Sequence, residues 1–299
     1  MRILIALAIA LALPTALAAQ ESASFLKIGV GARALGMGGA FTAIADDAAA
    51  IAWNPAGLAG LRQREIGFMH AEMVENTHFD YFGLAQPARG GTFGVGVRHL
   101  SQGTIQGRDS SGRPTDGYSA SDTAVDLSYG FKSSERLRLG GGVKIIHSTI
   151  AEASAQSLAL DLGSVYECSY FGPGVPRLGL AVQNIGPGMK FLDERSPLPL
   201  TVASGVGYRL PSGLTVAVDY RHRPYSRASE LNLGTEYAVL GSFAVRAGYA
   251  SMVGGAGSSA LKGFAGGFGL TARGYSLDYS ITPFGELGNA HRLSIGARF

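Results

Sequence analysis

The sequence predicts an all-β protein, an antiparallel transmembrane β-barrel of about 14 strands with a short helical N-terminal plug. Three observations predict it. From Arg64 to Phe299, short stretches alternate apolar with polar residues between turn residues: Val125, Leu127, Tyr129 and Phe131 interleave with Ala124, Asp126, Ser128 and Gly130. Successive side chains of a strand point to opposite faces, so each stretch has one greasy face and one polar face. The connections alternate between short and long, and a segment with the character of an export signal stands in front. Forty-four glycines in 299 residues favour strands and tight turns over a helical fold.

Residues 1–18 read as a secretory signal: Arg2 supplies the positive start, Ile3 to Leu13 the apolar stretch, and Ala16-Leu17-Ala18 the cleavage pattern. The plug is expected over 19–62 and the barrel over 63–299. No later segment reaches the ~18 uncharged apolar residues that a spanning helix requires, so a membrane-embedded chain would cross as strands. The formal net charge is +3, and loss of Arg2 lowers it further. With no basic stripe, nucleic acid is excluded as an expected partner. Cys168 is the single cysteine, which excludes an internal disulfide and a cysteine-based metal site. No cofactor and no metal are expected.

Residues 24–62 do not alternate. Asp46 is expected to cap a short alanine-rich helix running through Ala52, and Asn54 before Pro55 is a second helix start, with a capping side chain followed by a fixed φ. Two short helices joined by glycine-permitted turns follow. Gly29-Val30-Gly31-Ala32-Arg33-Ala34 matches the G-x-G-x-x-G/A dinucleotide pattern, but that pattern needs a preceding strand and βαβ units downstream, and tight turns explain the glycines better.

Candidate strands fall near 65–72, 78–86, 92–100, 122–131, 137–147, 157–166, 177–185, 200–210, 214–222, 229–238, 242–250, 263–271, 275–282 and 290–299. Most have nine to eleven residues, the length of a tilted membrane-crossing strand, against five or six in an average soluble sheet. Connections near 87–91, 132–136, 167–176, 211–213, 239–241 and 272–274 are short, whereas 101–121, 186–199 and 251–262 are long, which is the rim asymmetry of an outer-membrane barrel. The 167–176 turn and the brief 223–228 loop fit that alternation less well.

The two faces differ as a membrane barrel requires. The outward face is assigned Leu137, Leu139, Val143, Ile145, Leu158, Leu160, Leu162, Leu178, Leu180, Val182, Leu231, Leu233, Phe243, Val245, Leu277, Leu293 and Ile295. Asp126, Arg138, Lys144, Asp161, Asp219, Arg221, Glu230, Glu236, Arg246, Asp278 and Arg292 are assigned inward. A soluble β-sandwich would explain the alternation but not the strand lengths, the alternating loops or the leader. The six histidines are scattered, and neither G-x-S-x-G nor H-E-x-x-H occurs, so no residue is assigned a catalytic role. His147 and His291 are expected outside near strand ends, and His99 at a rim within reach of a ligand.

Gly36-Met37-Gly38-Gly39-Ala40-Phe41, then Asp46-Asp47, then Trp53-Asn54-Pro55-Ala56-Gly57-Leu58 resembles the amino-terminal signature of FadL-type outer-membrane proteins. Gly31-Ala32-Arg33-Ala34 and the modest length resemble the PorV/PorQ branch more closely. The ending, with Leu293, Ile295 and a terminal Phe299, is similar to the strand by which the barrel-assembly machinery recognises its clients. The resemblance implies a fourteen-stranded, non-enzymatic barrel of a Gram-negative-type outer membrane, surrounded by its lipid and plugged by the motif residues Gly36, Met37, Gly38, Phe41, Asp46, Asn54, Pro55 and Gly57. It also implies one of two roles. FadL-like relatives pass hydrophobic compounds inward, whereas PorV-like relatives bind exported cargo in type IX secretion. A plug rich in Ala, Leu, Ile and Phe favours an apolar small-molecule ligand.

Overall fold

In a computed structural model of the chain, fourteen antiparallel strands close into one barrel around residues 20–64. The structure describes residues 20–74, 76–108, 111–114, 116–169, 172–239, 241–253, 263–283 and 288–299. The expected leader lies outside these, as does most of the 251–262 connection.

The strands are β1 (Glu65–Glu72), β2 (Thr77–Ala88), β3 (Gly91–Ile105), β4 (Tyr118–Lys132), β5 (Leu137–Ile150), β6 (Ala153–Glu167), β7 (Val175–Ile185), β8 (Met189–Phe191), β9 (Glu194–Ser196), β10 (Thr201–Arg209), β11 (Leu214–Arg223), β12 (Ala228–Val239), β13 (Phe243–Val253), β14 (Gly263–Ala272), β15 (Tyr275–Pro283) and β16 (Asn289–Arg298). Neighbours in sequence are neighbours in the wall, and β1 pairs with β16 from Glu65–Arg298 to Glu72–His291 to close it. β8 and β9 are the exception: they form a separate hairpin inside the 186–199 connection, so β7 pairs directly with β10.

Several strands outrun the sequence expectation on the long-loop side; β4 and β6 begin four residues earlier and β3 ends five later. The apolar pattern marks only where one face is greasy. Backbone pairing continues through polar residues such as Ser101–Ser121 and Gln102–Ala120.

The faces divide as read. Leu127, Val143, Ile145, Leu158, Leu160 and Leu162 stand exposed on the outside. Inside, Arg98 donates to both Asp126 oxygens at 2.9 Å, and Lys144 donates to Asp161 at 3.0 Å and lies 3.7 Å from Asp126. This is the reverse of a water-soluble barrel. These four charges, withdrawn from water, are tolerable here because each has a hydrogen-bonded counter-charge.

The segment inside the wall departs from the expected two helices. It contains two 3₁₀ turns, Ser24–Lys27 and Pro55–Gly60, and two short α-helices, α1 (Ala32–Gly36) and α2 (Ala50–Trp53). Asp46 does not cap α2, which is preceded by Ala49 and has no side-chain cap. Asp46 is drawn away by two guanidinium groups, and Asp47 instead accepts from Ala49 N at 2.9 Å. Asn54 does cap: its Oδ1 accepts from Ala56 N at 3.1 Å, with Pro55 in the first position of the turn.

The glycines also differ from expectation. Many lie not in turns but at inward positions of the wall, where the plug backbone touches it. A Cβ on Gly140 would overlap Pro55, on Gly163 the Asn54 side chain, on Gly179 Thr42, on Gly234 Met37, and on Gly248 Gly38. Glycine within a strand marks close approach of another backbone. Here it does so around most of the circumference.

Candidate functional site

The lumen has three levels, and the motif residues belong to the middle one except Asp46, which lines the charged cavity below. Met37 and Phe41 are wholly buried, and the Phe41 ring meets Trp53 edge-on at 6.1 Å. Gly36 lies against Gly267, 3.4 Å from its Cα to a Cβ placed on Gly36. Gly38 has φ +64° and sits against Tyr249 N and Leu233 O, so only glycine meets both demands. Gly57 lies against the Ala45 carbonyl.

Polar wall residues tie this backbone down. Asp219 Oδ2 accepts from Phe41 N at 2.9 Å and from Thr42 N at 2.8 Å. Arg221 donates to Gly39 O at 3.0 Å and stacks over the Trp53 ring at 4.1 Å. Asn232 donates to Gly38 O at 2.7 Å, Gln183 to Ala52 O at 2.6 Å, and Tyr81 to Ala48 O at 2.8 Å. Asn54 itself reaches outward, donating to Thr42 O at 2.8 Å and to Ser164 O at 3.1 Å. Sequence reading placed Asp219 and Arg221 inside but gave them no partner. The usable signal was an inward charge facing an apolar segment whose unpaired backbone groups need donors and acceptors.

At the short-turn rim the lumen opens into a charged cavity of about 440 Å³. Arg33 is its hub, donating to Asp46 at 2.5 Å and by two nitrogens to Glu236 at 2.8 Å. Arg209 donates to the other Asp46 oxygen at 2.7 Å, and Arg246 bridges Glu236 and Asp278 at 2.6 Å each. Glu65 accepts from Ala48 N at 3.0 Å and from Arg298 at 2.9 Å, which joins the plug to the last strand. Burial opposes the Arg33 charge, yet Asp46, Glu236 and Asp47 outweigh it and raise its pKa above the ordinary value. Burial likewise opposes the Asp46 charge, but Arg33 and Arg209 hold its carboxyl well below the usual range.

Asp47 behaves oppositely. Burial pushes its carboxyl from 3.8 to about 7, with Glu65 and Asp46 adding to the rise and Arg33 opposing it. An acid whose pKa is higher when folded binds a proton on folding between the two values. The docked plug is therefore expected to gain stability as pH falls from 8 through about 7 toward 5, and to gain nothing more below 3.8, where the undocked Asp46 carboxyl starts to protonate and the stability its arginine pairing contributes begins to fall. The heat-induced gel-mobility midpoint should rise by a few degrees between pH 8 and pH 5. D47N should remove the rise, and an equal rise in D47N would refute the assignment.

Toward the long-loop end an apolar cluster packs beside buried polar wall residues such as the Arg223–Glu230 pair, whose Nη1 and Oε1 lie 2.7 Å apart. Phe25, Leu26, Phe79, Leu100, Ile146 and Leu198 are buried together there, with Met189 of β8 above them. Ser22 N donates to Pro197 O at 2.8 Å, so the described chain starts against the 186–199 loop and descends through the barrel to β1. His99 does not join this site: it lies on the outer face, its Nδ1 2.9 Å from Thr123 Oγ1, while Arg98 beside it points inward. The terminal residues stay on the wall. Leu293 and Ile295 face out, and Phe299 exchanges backbone hydrogen bonds with Arg64 at 3.1 Å, the Arg64 guanidinium lying over its ring.

A family model described as "Uncharacterised protein family (UPF0164)" matches residues 12–163. A UPF0164 protein of Treponema pallidum (strain Nichols) is 25% identical over 289 residues, covering 88% of this chain; the chain spans 65% of that relative's own length. Among solved structures, the fold is similar to the CymD monoaromatic hydrocarbon channel, with TM-score 0.68 and 13% identity over 94% of this chain and 99% of that one. The toluene transporter TbuX of Ralstonia pickettii gives 0.65 and 14% over 91% and 98%. A FadL homologue of Pseudomonas aeruginosa gives 0.57 and 11% over 90% and 98%.

Proposed function

The chain belongs to the uncharacterised protein family UPF0164, and we propose that it is a plugged outer-membrane barrel that admits apolar small molecules from the long-loop side. The observation that carries this reading is the succession of levels along the lumen: a packed apolar cluster on the long-loop side, a backbone-sealed plug in the middle and a charged cavity below. A hydrocarbon would gain roughly 25 cal/mol per Å² buried against the upper apolar cluster, and would not cross the charged cavity unaided. The similarity of the fold to hydrocarbon channels supports the same substrate class.

That succession requires a way out above the plug. One described break in the wall suits it. Between β6 and β7 the register shifts from Leu160–Ile185 to Leu162–Val182, and Asn184 takes φ +62°. Above Ile185 the upper half of β6 is paired only with β5, and the 186–199 loop covers the gap. An apolar molecule leaving there would enter lipid directly.

Native mass spectrometry of the protein extracted gently from its own membrane tests the proposal. A retained apolar molecule is expected, and F25S should lower its retention about tenfold, since burying one aromatic ring is worth roughly 1.5–3 kcal/mol. A stoichiometric exported protein in place of the small molecule would overturn transport in favour of a PorV-like secretion role.

A further inference from the structure

All six histidines point outward, and each lies in the long-loop half of its strand: His70, His78, His99, His147, His222 and His291. None faces the lumen. Aromatic rings stand on both halves of the outer face, Phe93, Phe131, Tyr166, Tyr237 and Phe243 toward the short turns and Tyr220, Tyr249 and Phe264 toward the long loops, whereas the imidazoles lie only toward the long loops. The two edges of the barrel's apolar band thus differ in histidine.

Strand register draws the upper edge residue by residue. One hydrogen-bonded row of outward side chains is wholly apolar: Phe68, Phe82, Val97, Val125, Ile145 and Leu158. Two residues further along each strand, about 7 Å, the row reads His70, Asp80, His99, Thr123, His147 and Gln156. The row after that reads Glu72, His78, Ser101, Ser121, Thr149 and Ser154, with His291 paired to Glu72. Barrel strands are tilted, so the step climbs obliquely around the wall.

The imidazoles share a geometry. In four of them Nδ1 is held by a neighbouring strand: His70 by Asp80 at 2.7 Å, His99 by Thr123 at 2.9 Å, His222 by Ser229 at 2.9 Å and His291 by Tyr279 at 2.6 Å. The hydrogen bond on one ring nitrogen fixes the state of the other. Where a hydroxyl donates to Nδ1, as Thr123, Ser229 and Tyr279 can, Nε2 keeps its hydrogen and offers it outward without protonation of the ring. Glu72 and Asp80 would repel an anion, but they stand among His70, His78, His99 and His291, and Asp80 is engaged by His70.

We infer that these histidines form a girdle that donates hydrogen bonds to the phosphate groups of the lipid around the long-loop rim. The inference rests on the membrane reading proposed above. Oriented donors at the point where the apolar surface ends match an acceptor-rich headgroup.

The test uses the full-length protein in mixed micelles with equal amounts of phosphatidic acid and galactosyl diacylglycerol of the same acyl chains, read by native mass spectrometry. The wild type should retain the phosphorylated lipid with about tenfold preference, the effect of one to two net hydrogen bonds, and H70F/H99F/H222F/H291F should lose it. If the quadruple variant does not show the heat-modifiable mobility of a folded barrel, H99F and H222F singly should each lower the preference. A folded wild type with no preference, or variants that keep it, would overturn the girdle alone. A wild type that does not enter micelles as a folded barrel would overturn the girdle and the membrane reading together.

Discussion

Deleting residues 24–60 is expected to convert a closed barrel into an open, water-filled pore. Within the wall those residues supply most of the apolar packing of the lumen, from Phe25 to Leu58. Without them the inward face presents Asp126, Lys144, Asp161, Asp219, Arg221 and Arg246, which water would solvate at once. Single-channel conductance in planar bilayers should rise by at least about tenfold, as a porin-like lumen replaces a sealed one. The barrel should also melt at a lower temperature, because Asp219, Asn232 and Gln183 lose their backbone partners. Unchanged conductance would mean that the segment does not seal the lumen. A fully unfolded product would instead make it part of the barrel's own core, a result the ladder from β1 to β16 argues against, since all fourteen wall strands pair without it.

The wall was legible in the sequence and its fit to the plug was not. Alternation reports solvent or lipid on one side of a strand, so Leu158, Leu160 and Leu162 opposite Asp161 could be read directly. Strand ends were less legible, since pairing persists through serines and threonines that carry no apolar signal. Asp46 was read as a cap because an acid before an alanine run is a local pattern; its partner Arg209 lies 163 residues away and no local rule reaches it. The histidine rows had the same difficulty. His70, His99 and His147 are unrelated by spacing, and only the register of five adjacent strands makes them neighbours in one row. The glycines were a missed signal of a different kind. Gly94, Gly96, Gly140, Gly163, Gly205 and Gly207 all occupy the inward parity, which a count of turns cannot explain and a backbone pressed against the wall can.

That pattern gives the sharpest expected contrast between two adjacent residues. Gly140 and Gly141 are consecutive on β5 and point to opposite faces. A Cβ on Gly140 would overlap Pro55 and Ala56 of the plug backbone, which cannot rotate away, whereas on Gly141 it would meet only the Leu162 methyl at 3.4 Å and the Asp161 carbonyl at 3.5 Å. G140A should therefore destabilise the folded barrel by about 1–3 kcal/mol, the usual cost of overpacking, and part of the population should pass current because the plug no longer seats. G141A should be neutral or slightly stabilising, since alanine in a strand loses less backbone entropy than glycine. G248A, on the far wall, would press on Gly38 and Met37 and should act like G140A. Melting midpoints and conductance of the three variants decide the matter. If G140A and G141A are indistinguishable, the plug is not keyed to the wall, and the sealed middle level of the lumen, on which transport from above depends, falls with it.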